Sequence, residues 1–120
     1  MPSETERELY QQIVGEQLSG VTFVMDYLQL QFNPPPTINV YTPLTVRQDG
    51  LFFAWGDDQF RNKLCEQITK IVKSVEINDN EFFLIVFEDG SEISISLNPD
   101  DYVGPEVLHF WGRNNLWIVI

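Results

Sequence analysis

Two stretches of this chain share one spacing of apolar residues, and this repetition limits the possible folds more than any other feature. The apolar positions of residues 10–40 match those of residues 64–95, with one extra residue in the second stretch near Asn78. The matched pairs are Tyr10/Leu64, Val14/Ile68, Leu18/Val72, Leu30/Ile85, Phe32/Phe87, Ile38/Ile93 and Val40/Ile95. A fainter match links residues 53–56 to residues 109–112. Two copies of one supersecondary unit that share a core produce such a pattern.

Each copy begins with helical spacing and continues with strand-like alternation. Tyr10, Val14 and Leu18 recur every four residues, as on one face of a helix, whereas residues 27–32 alternate between polar and apolar side chains. We therefore expect an α+β fold with two tandem helix-β-β-β repeats, at about residues 3–55 and 57–112. The repeats would form one antiparallel sheet or a partly closed barrel, with the helices packed on one side. A C-terminal strand at residues 116–120 would complete a single domain, 1–120.

Asp89-Gly90 is the strongest local signal in the sequence. Asp-Gly between two strand patterns predicts a two-residue type I′ hairpin, because both turn residues need positive φ. The stretch Phe87-Glu88-Asp89-Gly90-Ser91, followed by Ile95-Ser96-Leu97 and Gly104-Pro105-Glu106, resembles a group of small acidic bacterial proteins of unknown function. It is also similar to immunity proteins of bacterial toxin systems, which pair Asp-Gly hairpins with a flanking helix. The resemblance covers roughly residues 64–106 and implies no catalytic residues.

The charge of the chain narrows its range of partners. With 18 acidic and 7 basic residues, the formal net charge is −11. This argues against nucleic acid and anionic membranes, which are bound by clustered Lys and Arg, and it permits a basic protein partner. Cys65 is the single cysteine, so no intrachain disulfide can form. No signal peptide or apolar membrane span is visible in the sequence, and we expect a cytoplasmic protein.

The uncharged polar face of the predicted strands is the candidate binding site. Tyrosine and tryptophan side chains that reach the surface are effective anchors for a protein partner, because they bury a large area at low entropic cost. The candidate binding residues are Tyr27, Gln29, Gln31, Asn39, Tyr41 and Trp111. An ordinary solvated sheet face would have the same alternation, and that alternative stays open.

A second candidate site surrounds the single histidine. Glu106, His109 and Arg113, with Trp111 nearby, would form a ligand or catalytic site near the mouth of a barrel. We expect no metal there, because a metal site requires further ligands and the chain has no second histidine. The sequence contains no Ser-His-Asp order, glycine-rich phosphate loop or Cys-x-x-Cys motif, and we expect no cofactor.

These features favour a non-enzymatic, cytosolic protein-binding module, in the manner of an immunity protein or antitoxin that neutralises a basic partner. The alternative is a small-ligand-binding or enzymatic protein with a site near Glu106 and His109. A homodimer whose only role is assembly is a third possibility.

Overall fold

The computed structural model describes residues 7, 8, 10–25, 27–102, 104, 105, 107–114 and 117–119. Within these residues the protein is mostly β-structure, and one α-helix, α1 (Phe60–Cys65), has both its ends described. The strands are β1 (Gly20–Val24), β2 (Tyr27–Gln31), β3 (Thr37–Val40), β4 (Leu44–Gln48), β5 (Leu51–Ala54), β6 (Val72–Asn78), β7 (Phe82–Phe87), β8 (Glu92–Ser96), β9 (Leu108–Trp111) and β10 (Trp117–Val119). Two 3₁₀ turns lie at Gln11–Ile13 and Pro99–Asp101.

The strands form two five-stranded antiparallel sheets, and each sheet combines strands from both halves of the chain. The first sheet has the order β1-β2-β3-β9-β10, and the second has the order β5-β4-β8-β7-β6. Three successive strands from one half are therefore completed by two strands from the other half. The chain changes sheets between β3 and β4, and again between β8 and β9.

The two sheets also have matching registers. Ile38 of β3 pairs with Phe110 of β9, and Ile93 of β8 pairs with Val46 of β4. At the outer strands, Trp111 pairs with Trp117 in the first sheet. Arg47 pairs with Phe52 at the corresponding place in the second sheet. In this register β4 occupies the place in the second sheet that β9 occupies in the first, and β5 occupies the place of β10. Residues 53–54 of β5 therefore do not correspond to residues 109–110 of β9, although residues 53–56 match residues 109–112 in sequence.

The sheets pack face to face around one hydrophobic core. Alternate residues of β2, β3, β7 and β8 point inward and are buried in the core. Tyr10 joins the two layers, because its ring makes edge-on contacts with Phe83 of the second sheet and Phe110 of the first, at 5.0 and 5.3 Å between centroids. The architecture is a β-sandwich with a continuous interior.

Short helical segments cover the two open edges of the sandwich. Helix α1 packs against β1, β4 and β5, and its Phe60 and Leu64 are buried. At the other edge, helical residues lead into the 3₁₀ turn Gln11–Ile13, which packs against β6 and buries Ile13. Each helical segment thus covers an apolar edge that the sheets leave open.

The predicted α+β class is wrong, because there are two sheets instead of one and the helical segments lie at opposite edges. The spacing Leu64, Ile68, Val72 fits a helix, yet α1 ends at Cys65 and Val72 begins β6. Gly15 and Thr69 interrupt the two predicted helices with positive φ values of 85° and 87°. Beyond them the chain is extended, and Gln17 bridges to Ile71. Of the predicted strand at residues 116–120, β10 is described and Leu116 and Ile120 lie outside the described residues.

The hairpin prediction for Asp89-Gly90 is also wrong in its turn type. Gly90 has a φ of 90°, but Asp89 is not in the positive region, and its side chain accepts a hydrogen bond from the backbone of Ser91. A two-residue turn with positive φ at both positions occurs instead at Asp49-Gly50, with φ values of 54° and 77°. Both dipeptides are Asp-Gly, so the dipeptide alone does not decide which turn forms.

Candidate functional site

The six predicted binding residues lie together on the outer surface of the first sheet. Tyr27, Gln29 and Gln31 alternate along β2 with buried Leu28 and Leu30, so their side chains point away from the core. Asn39 lies outward on β3, Tyr41 follows that strand, and Trp111 is on β9. We call the outward set Tyr27, Gln29, Gln31, Asn39, Tyr41, His109, Trp111 and Trp117 the aromatic–amide face.

Hydrogen bonds between amide side chains organise the centre of this face. Gln29 pairs across the strands with Asn39, and its Nε2 donates to Asn39 Oδ1 at 2.8 Å. Gln31 Nε2 donates to Gln29 Oε1 at 2.9 Å. These bonds fix the amides in one arrangement, which lowers the entropy that a partner would have to remove on binding.

Aromatic rings occupy one end of the face. Tyr27 and Tyr41 lie with ring centroids 5.0 Å apart, and Tyr41 contacts the ring of His109 at 4.9 Å. Tyr41 Oη is 3.3 Å from His109 Nδ1. His109 pairs with Asn39 in the sheet register, so this aromatic cluster is continuous with the amides.

A stacked tryptophan pair occupies the other end. Trp111 and Trp117 pair across β9 and β10, with centroids 5.6 Å apart and ring planes inclined by 23°. They remain 45% and 57% exposed. The sequence alone did not place Trp117 or His109 on this face, because their positions depend on the pairing of β9 with β3 and β10. The alternation of residues 107–111 was the signal in the sequence that could have placed His109 and Trp111 on one face.

The face is free of formal charge. Among the outward residues that the structure describes on the first sheet, none is Asp, Glu, Lys or Arg. The second sheet differs, since Arg47 and Glu92 form a two-bond ion pair on its outer surface at 2.7 and 3.0 Å. Hydrogen bonding and ion pairing with Glu92 raise the pKa of Arg47, which stays charged. Uncharged amide and aromatic surface is therefore a property of one sheet only.

The residues proposed for the alternative ligand site point to different neighbours. Arg113 makes an ion pair with Glu16 at 2.7 Å, and its backbone N–H donates to Gln12 Oε1 at 2.7 Å. His109 contacts Tyr41 on the aromatic–amide face. Glu106 lies outside the described residues. The contacts of Arg113 thus hold it to the segment at residues 12–16.

Ionisable side chains also form a polar network beside the β7–β8 turn. Lys70 Nζ lies 2.8 Å from Asp89 Oδ2, and Ser91 Oγ donates to Asp89 Oδ1 at 2.6 Å. Partial burial raises the pKa of Asp89, but the hydrogen bonds from Lys70 and Ser91 outweigh it and lower the pKa to about 2. Buried Gln67 completes the network, because its Oε1 accepts a hydrogen bond from Lys70 Nζ at 2.9 Å, which links the turn to the chain before β6.

Comparisons with family models, with curated proteins and with solved structures found no match. In the part of the chain that the structure describes, no group of three or more His, Cys, Asp or Glu side chains is arranged to hold a metal ion. The described helical segments include none with the length and apolar character needed to cross a membrane.

Proposed function

We propose that this protein is a non-enzymatic protein-binding module that recognises its partner through the aromatic–amide face. The observation that carries this function is the combination of an uncharged, internally hydrogen-bonded surface with two exposed tryptophans, Trp111 and Trp117. Interfaces are enriched in tryptophan and tyrosine, and charged residues are depleted from their centres. The preformed amide ladder between Gln29 and Asn39 supports binding without a large ordering cost.

The partner is a basic protein. The net charge of −11 lies outside the aromatic–amide face, so it would attract a basic partner over a distance while the face makes the short-range contacts. The resemblance of residues 64–106 to immunity proteins extends this to an immunity or antitoxin-like neutraliser. We place this protein in the cytosol. Its single cysteine cannot form an intrachain disulfide, which is consistent with a reducing compartment.

The small-ligand or enzymatic alternative has less support. Arg113 is bound to Glu16 and Gln12, and His109 is part of the aromatic cluster with Tyr41. A homodimer through the aromatic–amide face is an alternative occupant of the same surface, and light scattering distinguishes it. A doubled mass that reverts to the monomer mass on substitution of the tryptophans would support self-association instead of a separate partner.

The test compares substitutions of exposed aromatic residues at corresponding positions on the outer surfaces of the two sheets. The purified protein captures partners from the cells that produce it, alongside a Trp111→Ser/Trp117→Ser variant and a Phe52→Ser control. Phe52 is 69% exposed and occupies the position in the second sheet that Trp117 occupies in the first. We expect a basic protein to bind the wild type and the Phe52→Ser control, and to be lost from the tryptophan variant.

Salt provides the second readout. Raising the ionic strength from about 0.1 M to about 1 M shortens the screening length from about 10 Å to about 3 Å. Binding to the basic partner should weaken over this range, mainly through slower association. A partner that the tryptophan variant retains in full would contradict the use of this face, and binding that ignores salt would contradict the electrostatic attraction.

A further inference from the structure

A groove of about 630 Å³ lies between residues 23–25, at the end of β1, and the loop that joins β5 to α1. We call it the turn groove. Both apolar and charged side chains line it, and among the described residues those used below are Phe23, Met25, Trp55, Asp57, Asp58 and Arg61. Val24 also lines it and pairs with Tyr27, so the turn groove continues from the aromatic–amide face.

Three apolar residues of the turn groove are exposed. Met25 is 96% exposed, Trp55 is 50% exposed and Phe23 is 40% exposed. Packing does not require this composition, because the corresponding turn after β6 carries Asn78 and Asp79. A contiguous exposed apolar patch with a polar rim is typical of a binding surface.

The groove is also held in shape by local contacts. Trp55 packs against Phe60, the first residue of α1, at 5.5 Å between ring centroids. Asp57 Oδ2 accepts a hydrogen bond from the backbone of Ala54 at 2.7 Å, and Gly56 between them has a φ of 95°. The loop that presents Trp55 is therefore a closed turn fixed at both ends, and a ligand would meet a preformed wall.

The charges of the turn groove select the occupant. Asp57 and Asp58 are both exposed, and no ion pair links Asp58 to another residue among those described. Arg61 lies over the ring of Phe23 at 5.6 Å, so a guanidinium already rests on an aromatic wall of this groove. An additional cation would find Trp55 as a second aromatic surface and Asp58 as its counter-ion, in a chain of net charge −11.

We infer that the turn groove binds a peptide segment of the partner that contains both basic and apolar residues. This inference rests on the proposed function, because the segment belongs to the same partner. Apolar side chains of the segment contact Met25 and Phe23. The aliphatic part of a lysine or arginine lies on Trp55, and its charged end pairs with Asp58. An acidic or purely apolar segment would leave Asp58 without a counter-ion and would bind less well.

A labelled synthetic peptide tests the site without the natural partner. The probe alternates leucine with lysine over eight residues, and a second peptide replaces every lysine with glutamate. Fluorescence anisotropy with the intact protein should show saturable binding of the lysine peptide only. We expect Asp58→Lys to weaken this binding about tenfold or more, as for loss of a paired charge. Met25→Ser should weaken it as well, and because Met25 is almost fully exposed, that variant should keep the wild-type thermal unfolding.

The control is Glu88→Lys, which makes the same charge change at an exposed site in the β7–β8 turn. We expect it to alter peptide affinity by no more than about twofold, since a distant surface charge acts only through the screened field. Equal effects of Asp58→Lys and Glu88→Lys, equal binding of the two peptides, or the lack of any binding would each overturn the assignment.

The same variants separate this site from the proposed function. If the partner depends on Trp111 and Trp117 but neither partner nor peptide responds to Asp58→Lys, the turn groove is not a site and the proposed function stands. If the peptide requires Asp58 and Met25 but no partner depends on the tryptophans, the groove stands and the proposed function fails.

Discussion

Gln17 and Ile71 face each other in an isolated antiparallel bridge, and the hydrogen bonds around them occur in matching pairs. Backbone N–H groups donate from Leu18 to Lys70 and from Val72 to Glu16, both at 2.9 Å, and from Gly15 to Val72 and from Thr69 to Leu18, at 2.8 and 2.7 Å. The two segments are thus related by an approximate two-fold axis through this bridge. The same relation carries β1-β2-β3-β9-β10 onto β6-β7-β8-β4-β5.

The exchange of strands between sheets predicts that neither half of the chain folds alone. Without β9 and β10 the first sheet loses two of its strands, and β4 and β5 lose their partner β8. A fragment of residues 1–56 should therefore give an NMR spectrum with little dispersion, and so should a fragment of residues 57–120. Mixing the two should restore the dispersed spectrum of the intact protein. A folded, monomeric fragment would contradict this dependence.

Adjacent phenylalanines on β7 should differ widely in their contribution to stability. Phe83 is fully buried and touches Tyr10, whereas Phe82 is half-buried on the outer surface. Phe83→Ala should lower the free energy of unfolding by about 3–5 kcal/mol, because it removes apolar burial and leaves a cavity. Phe82→Ala should cost about 1 kcal/mol. Urea denaturation of the two variants measures the difference, and similar losses would contradict the assignment of inner and outer faces.

Asp89 should make stability depend on pH in strongly acidic solution. Its pKa is lowered to about 2 in the folded protein, from an ordinary value of 3.8, so its ionised form stabilises the fold. This contribution is complete above the ordinary pKa and is lost as the pH falls through about 2. Because the Asp89 side chain is 49% exposed, solvent screening limits it to about 1 kcal/mol or less.

The Asp89→Asn variant isolates this effect, since an amide oxygen can still accept from Ser91. It should be less stable than the wild type at neutral pH, and the difference should shrink between pH 4 and pH 2. Denaturant midpoints across this range give the comparison. A constant difference would mean that the charge of Asp89 does not contribute.

Gly56 should tolerate alanine poorly, although there is room for the methyl group. A Cβ at Gly56 would have no neighbour within 4 Å, but the φ of 95° disfavours any L side chain. Gly56→Ala should therefore lower the free energy of unfolding by about 1–2 kcal/mol. Gly104→Ala is the control, because that glycine also has open space and lacks a positive φ; it should change stability by no more than about 0.5 kcal/mol. Equal effects on thermal unfolding would rule out backbone strain at Gly56.

Corresponding residues on the outer surfaces of the two sheets differ in chemistry, so core packing does not determine which residues occupy these positions. Gln29 and Leu84 hold the same place in their sheets, as do Trp111 and Arg47. The inner positions remain apolar in both sheets because they share one core, whereas the outer positions differ in chemistry. The residues of the aromatic–amide face and of the turn groove lie at such positions, and their counterparts in the other half of the chain differ in chemistry.

Local patterns in the sequence were enough to identify the outward residues of β2 and β3, because alternation over a strand separates its two faces whatever the partner. The matched apolar spacing likewise indicated core positions, with the exception of Val14, which is 37% exposed. The same spacing gave a wrong helix for residues 14–18 and 68–72, since a four-residue period does not reveal that Thr69 adopts positive φ.

The amino-acid sequence by itself determined which side chains of β2, β3 and β8 are inward and outward, because their alternation of polar and apolar residues is visible along the chain. Only the tertiary structure decided that β3 pairs with β9 and β8 with β4, which brings Trp111 beside Trp117 and Tyr41 beside His109. These pairings join residues far apart in sequence, and their free energy comes from burying both sheets against one core, which no single segment can specify.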